Sequence, residues 1–267
     1  MFNCLVVTET RVFFVVLARD ASLVKAKMLE LDRLGCQYVI VCGERIQDSR
    51  VVFREAKGKY EAINFGLDFV PRGTDVVAFN DVDTRIYNLQ AALNAIESGA
   101  SLVFAKVNVF EGPQISFYRY LDAVRRRIPI AASGELMLVN FNLLKSMAPL
   151  SRCKAEDSYI LFKTLERGGR VVFCEECSVT THRTRSGEEE EDYKRRTAGG
   201  IYQALSLSKP PFVIVLFYVL LPFLAPMLLT QGRKGYFWTK GILYGLIDFL
   251  RGDKTGSWEQ IIAESKS

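Results

Sequence analysis

The residues best placed to do chemistry in this chain are the two acids of Asn80-Asp81-Val82-Asp83-Thr84. They follow Asp75-Val-Val-Ala-Phe79, a β-branched apolar run of the kind that forms a strand covered on both faces. Carboxylates two apart at a strand's end project toward the same side of the chain as it leaves the sheet. One of them can take a divalent ion while the other holds that ion's waters or a ribose hydroxyl. A hard cation with oxygen ligands and open positions is what binding a diphosphate requires. A bare Asp-x-Asp is usually a solvated turn. Here it closes the fourth strand pattern of an α/β unit, and such sheets bind ligands beyond the carboxyl ends of their strands. Read alone, Glu156-Asp157 is ordinary acidic charge at a helix start, and His182, the single histidine, is a structural or solvated residue.

The elements that must position these residues alternate along the chain. Val12–Ala18 reads as a buried strand, and Ser22 is placed to cap a helix carrying Leu23, Ala26, Leu29, Leu31 and Leu34 that Gly35 stops. Strands are predicted over 38–42, 51–53, 75–79, 102–107, 136–139 and 170–173. Helices are predicted over 56–67, 89–97, 117–127 and 156–166. Strands alternating with helices predict an α/β fold with a mostly parallel, Rossmann-like sheet and right-handed crossovers. Residues 186–196 (SGEEEEDYKRR) read as a solvated, mobile loop.

A chain of 267 residues has room for one large domain or two modest ones, and 49% apolar with 24% charged residues excludes disorder as the default. The net charge of +5 suits an anionic lipid or a phosphate-rich ligand. No compact basic patch with interleaved aromatics is present, so nucleic acid is not an expected partner. Cys174-Glu-Glu-Cys177 is a lone C-x-x-C, without the second pair a structural zinc needs, and reads as strand-end cysteines or a local disulfide. Residues 210–231 carry no charge. Twenty residues at 1.5 Å each cover the roughly 30 Å hydrocarbon layer, which predicts a transmembrane helix kinked by Pro222 and Pro226. A second apolar stretch, 236–250, carries Lys240 and Asp248 and is expected to return as a hairpin or to lie in the interface. Met1-Phe2-Asn3-Cys4 has no basic n-region, so no signal peptide is expected and the soluble part is placed on the cytoplasmic side of a cell membrane.

Four ordered motifs, over roughly residues 11 to 230, resemble family 2 glycosyltransferases of the GT-A fold, in the cellulose-synthase-like branch with membrane helices after the catalytic domain. Lys57-Gly-Lys59-Tyr-Glu-Ala62-Ile-Asn64-Phe-Gly66 is similar to the family's helix before the metal strand, and Asn80-Asp81-Val-Asp83-Thr84 to its D-x-D. Ala155-Glu156-Asp157, followed by Gly168-Gly169, is similar to its T-E-D block. Tyr193-Lys194-Arg195-Arg196-Thr197-Ala-Gly199-Gly200 stands where such enzymes carry Q-x-x-R-W. The departures are Ala155 for Thr, Glu44 where the family has an Asp on the donor's base, and Thr197 for a Trp of the acceptor platform.

The resemblance implies a GT-A domain over residues 1–208, a membrane anchor over 209–252 and a tail over 253–267. It implies a divalent cofactor, Mn²⁺ or Mg²⁺, held by Asp83 and Asp81 with His182. Asp157 becomes the base that deprotonates the acceptor hydroxyl, with Glu156 beside it. The nucleotide-diphosphate sugar donor is met by Arg19, Glu44, Lys57, Lys59, Asp81, Arg195 and Arg196. The expected reaction is inverting transfer of a sugar, mannose from GDP-mannose foremost, to a lipid-linked acceptor at the bilayer, as in membrane-bound mannosyltransferases of archaea. A processive polysaccharide synthase and a catalytically silent binding protein of the same fold stand as alternatives.

Overall fold

The computed structural model describes residues 10–55, 58–109, 115–181 and 186–252. At its centre β1 (Val12–Ala18) lies parallel to β2 (Gln37–Cys42) on one side and to β4 (Val76–Asp81) on the other, and β3 (Val51–Phe53) extends the parallel half from β2. Beyond β4 the sheet is mixed. β7 (Leu136–Asn140), which leads into the short α5 (Phe141–Lys145), runs antiparallel to β4 and to β6 (Leu102–Val109), β6 is parallel to β8 (Val171–Thr181), and β5 (Arg85–Tyr87) is antiparallel to β8. The strand order is β3-β2-β1-β4-β7-β6-β8-β5. The reversed direction of β7 leaves no trace in its residues, because a strand buried on both faces has the same composition either way.

Alternate side chains of each strand enter opposite cores. Phe13 and Val15 meet α2 (Lys59–Leu67) and α6 (Glu156–Glu166) on one face, while Phe14 and Val16 meet α1 (Val24–Arg33) and α3 (Leu89–Glu97) on the other. Each such side chain contributes roughly 1.5–3 kcal/mol by leaving water. Ser22 does not cap α1. Its hydroxyl donates to Asp20, and the first helical turn carries no side-chain cap. β8 runs well past residue 173, and three of its residues, Glu175 to Cys177, bulge out of register with β6. Cys174, just before that bulge, and Cys177, at its end, are free, buried thiols rather than a disulfide at a strand end.

Residues 186–196 are not a loop. They open α7 (Gly187–Ser206), a helix of 20 residues. Ser186 Oγ accepts from the Glu189 amide at 3.1 Å, three glutamates sit at the positive end of the helix dipole, and Lys194 follows Glu190 by one turn at 3.7 Å. Gly199 and Gly200, further along the helix, are points of close packing. A Cβ on Gly200 would lie 2.9 Å from the Ala155 amide nitrogen, and one on Gly199 would lie 3.1 Å from the Gly245 carbonyl oxygen.

Among the described residues one segment, Phe212–Gln231, is long and apolar enough to cross a membrane, with mean hydropathy 2.6 and 17% of it buried. It is not one straight helix: α8 (Phe212–Leu224) tightens into a 3₁₀ turn (Ala225–Gln231) at Pro226. Pro222 lacks the N–H that would bond the Tyr218 carbonyl four residues back, and the Tyr202 hydroxyl of α7 donates to that carbonyl at 2.9 Å instead. The last helix, α9 (Arg233–Leu250), lies along α7 rather than pairing with α8. Gly241 sits over Glu191 and Lys194, Gly245 over Arg195 and Ala198, and Phe249 stacks on Tyr202.

Candidate functional site

The Asp81–Thr84 turn stands at the carboxyl end of β4, level with Leu17 at the end of β1. The Asp81 carbonyl accepts from the Thr84 amide at 3.3 Å and from its hydroxyl at 2.8 Å, and the Val82 amide donates to Leu17 at 3.1 Å. Beneath it, buried Asn80 donates to Thr84 Oγ1 at 2.8 Å and to the Glu135 carbonyl, and accepts from Lys27 Nζ at 2.9 Å. That ammonium, 2% exposed, also reaches Glu30 at 2.7 Å and the Thr84 carbonyl. Burial lowers the Lys27 pKa and Glu30 opposes the shift. A buried polar plug whose members satisfy one another rigidifies what it supports, so the turn presents Asp81 inward and Asp83 to solvent.

Facing that turn, α2 begins at Lys59 after Gly58, whose φ of 124° suits glycine. Lys59 Nζ lies 3.0 Å from Asp81 Oδ1 and 3.3 Å from Glu156 Oε1. Glu156 and Asp157 form the first turn of α6, which Ala155 cannot cap. Asp157 Oδ1 instead accepts from the Ser158 amide at 2.6 Å. Gly134 allows this convergence, because a Cβ there would stand 3.2 Å from both Lys59 Nζ and Asp157 Oδ2. Asn64 clamps the approach to α6 by exchanging hydrogen bonds with the Leu150 backbone at 2.7 and 3.1 Å.

Burial pushes the Asp81 carboxyl up to about 6, Lys59 opposing and Asp83 and Glu135 adding to it. Glu156 is raised by burial to about 7, and burial likewise raises Asp157, with Lys59 opposing in both. At Asp157 desolvation outweighs both Lys59 and the hydrogen bond from the Ser158 amide, which favour the ionised form. Burial alone would lower the Lys59 ammonium, yet Asp81, Glu156 and Asp157 together carry it well above its ordinary value.

The remaining candidates lie elsewhere. Arg19 is exposed beyond β1, and Glu44, exposed beyond β2, accepts from the Ala21 amide at 3.0 Å, so the two loops are joined. Arg195 grips Asp248 of α9 with two hydrogen bonds, at 2.5 and 2.8 Å, and the Arg196 guanidinium lies 5.6 Å from the Tyr193 ring. Lys57 and His182 fall outside the described residues. Sequence reasoning missed buried Glu135, Gly134, Lys27 and Arg125, the last of which, from α4 (Ile115–Arg125), donates to the Ala131 carbonyl at 3.1 Å. Gly134 directly ahead of a strand was the available signal, since it leaves Lys59 and Asp157 room to approach the backbone. No group of three His, Cys, Asp or Glu side chains poised around a metal occurs among the described residues. Asp81 and Asp83 supply hard oxygen donors, which suits Mg²⁺ or Mn²⁺ with its other positions left to phosphate and water.

No protein-family model matches the chain, and no curated protein matches it. Among solved structures it is similar to GalNAc-T7 with UDP, GalNAc and Mn²⁺, at 10% identity and TM-score 0.55, over 92% of this chain and 57% of that one. The chain therefore spans little more than half of that protein. Glucosyl-3-phosphoglycerate synthase of M. tuberculosis is similar at 18% identity over 76% of this chain and 82% of that one, TM-score 0.48. The catalytic domain of Drosophila β1,4-galactosyltransferase 7, in complex with xylobiose, is similar at 16% identity over 62% and 65%, TM-score 0.40. The fold is a GT-A-like mixed α/β sheet followed by an apolar C-terminal helix.

Proposed function

We propose that this chain is a metal-dependent glycosyltransferase that moves a sugar from a nucleoside-diphosphate donor to an acceptor hydroxyl with inversion. The observation that carries the reading is the meeting of Asp81 with the Glu156-Asp157 pair across Lys59, at the carboxyl edge of the sheet. One side of that meeting suits a diphosphate and the other an incoming nucleophile. Asp81 and Asp83 would hold the cation, Mn²⁺ or Mg²⁺, which offsets the charge of the departing diphosphate. Asp157 takes the acceptor proton. A carboxyl raised by burial is a stronger base than one in water and works closer to neutral pH. Glu156 orients the acceptor, and Lys59 holds the acids together when the pocket is empty. Glu44 and Arg19, at the ends of β2 and β1, are assigned to the nucleoside, and Arg196 to donor phosphate.

Support for the donor class comes from the GT-A-like fold and from the UDP and Mn²⁺ in the GalNAc-T7 structure. The family resemblance favours mannose from GDP-mannose. The apolar segment favours a lipid-linked acceptor met at the cytoplasmic face of the cell membrane. The test is a calorimetric titration of GDP- and UDP-sugars into the full chain with Mn²⁺ or with chelator. Donor binding should require the metal and vanish in Asp83→Ala while the fold persists. Undiminished binding in chelator would sink the metal assignment, and no binding of any nucleotide sugar would leave the silent alternative standing.

A further inference from the structure

The apolar segment after α7 is tied to one domain at its start, middle and end. The Lys209 amide donates to Glu166 at 3.0 Å. The Tyr218 hydroxyl donates to the Ile130 carbonyl at 2.7 Å while its own carbonyl takes the Tyr202 hydroxyl. The Ala225 carbonyl takes the Thr239 hydroxyl at 2.8 Å, and Arg233, just past the segment, meets Glu188 at 3.4 Å. The 13 residues of α8 and the 7 of the 3₁₀ turn span about 20 and 14 Å, close to the roughly 30 Å of α7. The segment therefore doubles back from the C-terminal end of α7 to its N-terminal end. An upright crossing puts its two ends on opposite sides of a hydrocarbon layer about 30 Å thick. With these ties intact, that crossing would draw α7 and its acidic first turn into the layer, where unshielded charge is costly.

We infer that α8 and its 3₁₀ extension lie flat in one leaflet of an anionic bilayer, so that the chain is held on the membrane rather than through it. The outward face fits that occupant. Phe212, Val219, Phe223 and Met227 are 77, 56, 78 and 68% exposed on one continuous segment, whereas a soluble surface shows such side chains singly. No acid occurs from Pro210 to Ile247, while Lys209 on one side and Arg233 and Lys234 on the other flank the uncharged run 210–231, where headgroup phosphates would meet them. Tyr218 and Ala225 cover the inward face against the protein, leaving only the outward one for lipid. The inference stands on these ties and does not rest on the transferase reading.

The test is depth. The full chain carries one added tryptophan at a time, at Phe212, Val219, Phe223 or Met227, over the constant background of Trp238 and Trp258, in vesicles of phosphatidylcholine with phosphatidylglycerol. Lipids brominated near the headgroup should quench all four positions more than lipids brominated near the chain end. Deepest quenching at Val219 and Phe223 with shallow quenching at Phe212 and Met227 would establish a crossing helix and overturn the inference. Quenching at none of the four would overturn it in favour of a protein partner, a second copy included. Lys234→Gln should weaken partition into the anionic vesicles by roughly fivefold and leave partition into pure phosphatidylcholine unchanged. Equal loss on both would remove the charge argument.

Discussion

Three carboxylates that face one ammonium across a few ångströms cannot all ionise as readily as they would in water, and this constraint sets what the pocket can do. Glu156 is held up to about 7 from 4.5. Its folded pKa exceeds its unfolded one, so its contribution to stability is present below about 4.5 and is lost as pH rises through about 7. In chelator, the urea midpoint of the chain should accordingly fall between pH 5 and 8, and Glu156→Gln should flatten that fall. Asp157→Asn keeps the shape and removes the base, so turnover should drop by roughly 10² to 10⁴ with donor affinity unchanged, read from initial rates beside a donor titration. Loss of donor affinity instead would move Asp157 to the donor site. The acids themselves were legible as motifs. The direction of their shifts was not, because it comes first from burial, which only folding creates.

At the scale of elements, composition misled where local chemistry did not. The acid-then-base run of α7 matches a loop by charge, yet Ser186-x-x-Glu189 ahead of it is a helix-start signature in plain view. The strands of the parallel half were readable because both of their faces are buried. β5 buries only Ile86 of its three residues, which leaves no apolar run to read. α7 also carries a device that sequence cannot announce, the hydroxyl of Tyr202 answering the carbonyl that Pro222 strands. Tyr202→Phe should destabilise the chain by about 1–3 kcal/mol, the usual cost of a buried acceptor left without its donor. The denaturant slope should be unchanged. A midpoint equal to wild type would mean that another donor, or water, reaches that carbonyl.

For the whole molecule, the question is whether the chain divides at residue 208, as the pattern of hydropathy suggests. Tyr218 and Ile214 of α8 sit in the same core layer as Phe79, Tyr159 and Ile201, and α9 covers the length of α7 with Gly245 closed against the Arg195 carbonyl. Neither helix is an appendage. A truncation after Leu207 removes two buried side chains from that layer and bares the glycine-lined face of α7, where Arg195 would lose Asp248 and Lys194 would lose the Trp238 ring 3.8 Å away. Large-to-nothing losses of this kind cost roughly 2–5 kcal/mol per buried side chain, against a total stability of about 5–15 kcal/mol. The truncated chain should therefore show a broad, low transition by circular dichroism and rapid amide exchange along α7 and α6, while the full chain in detergent melts cooperatively. Adding donor and metal to the fragment should recover little of that loss, because Glu156 and Asp157 sit on the helix that α7 braces through Ala155 and Gly200. A fragment that melts at the full-length temperature and binds donor with full-length affinity would show that the boundary at 208 is real and that the C-terminal helices serve the membrane alone.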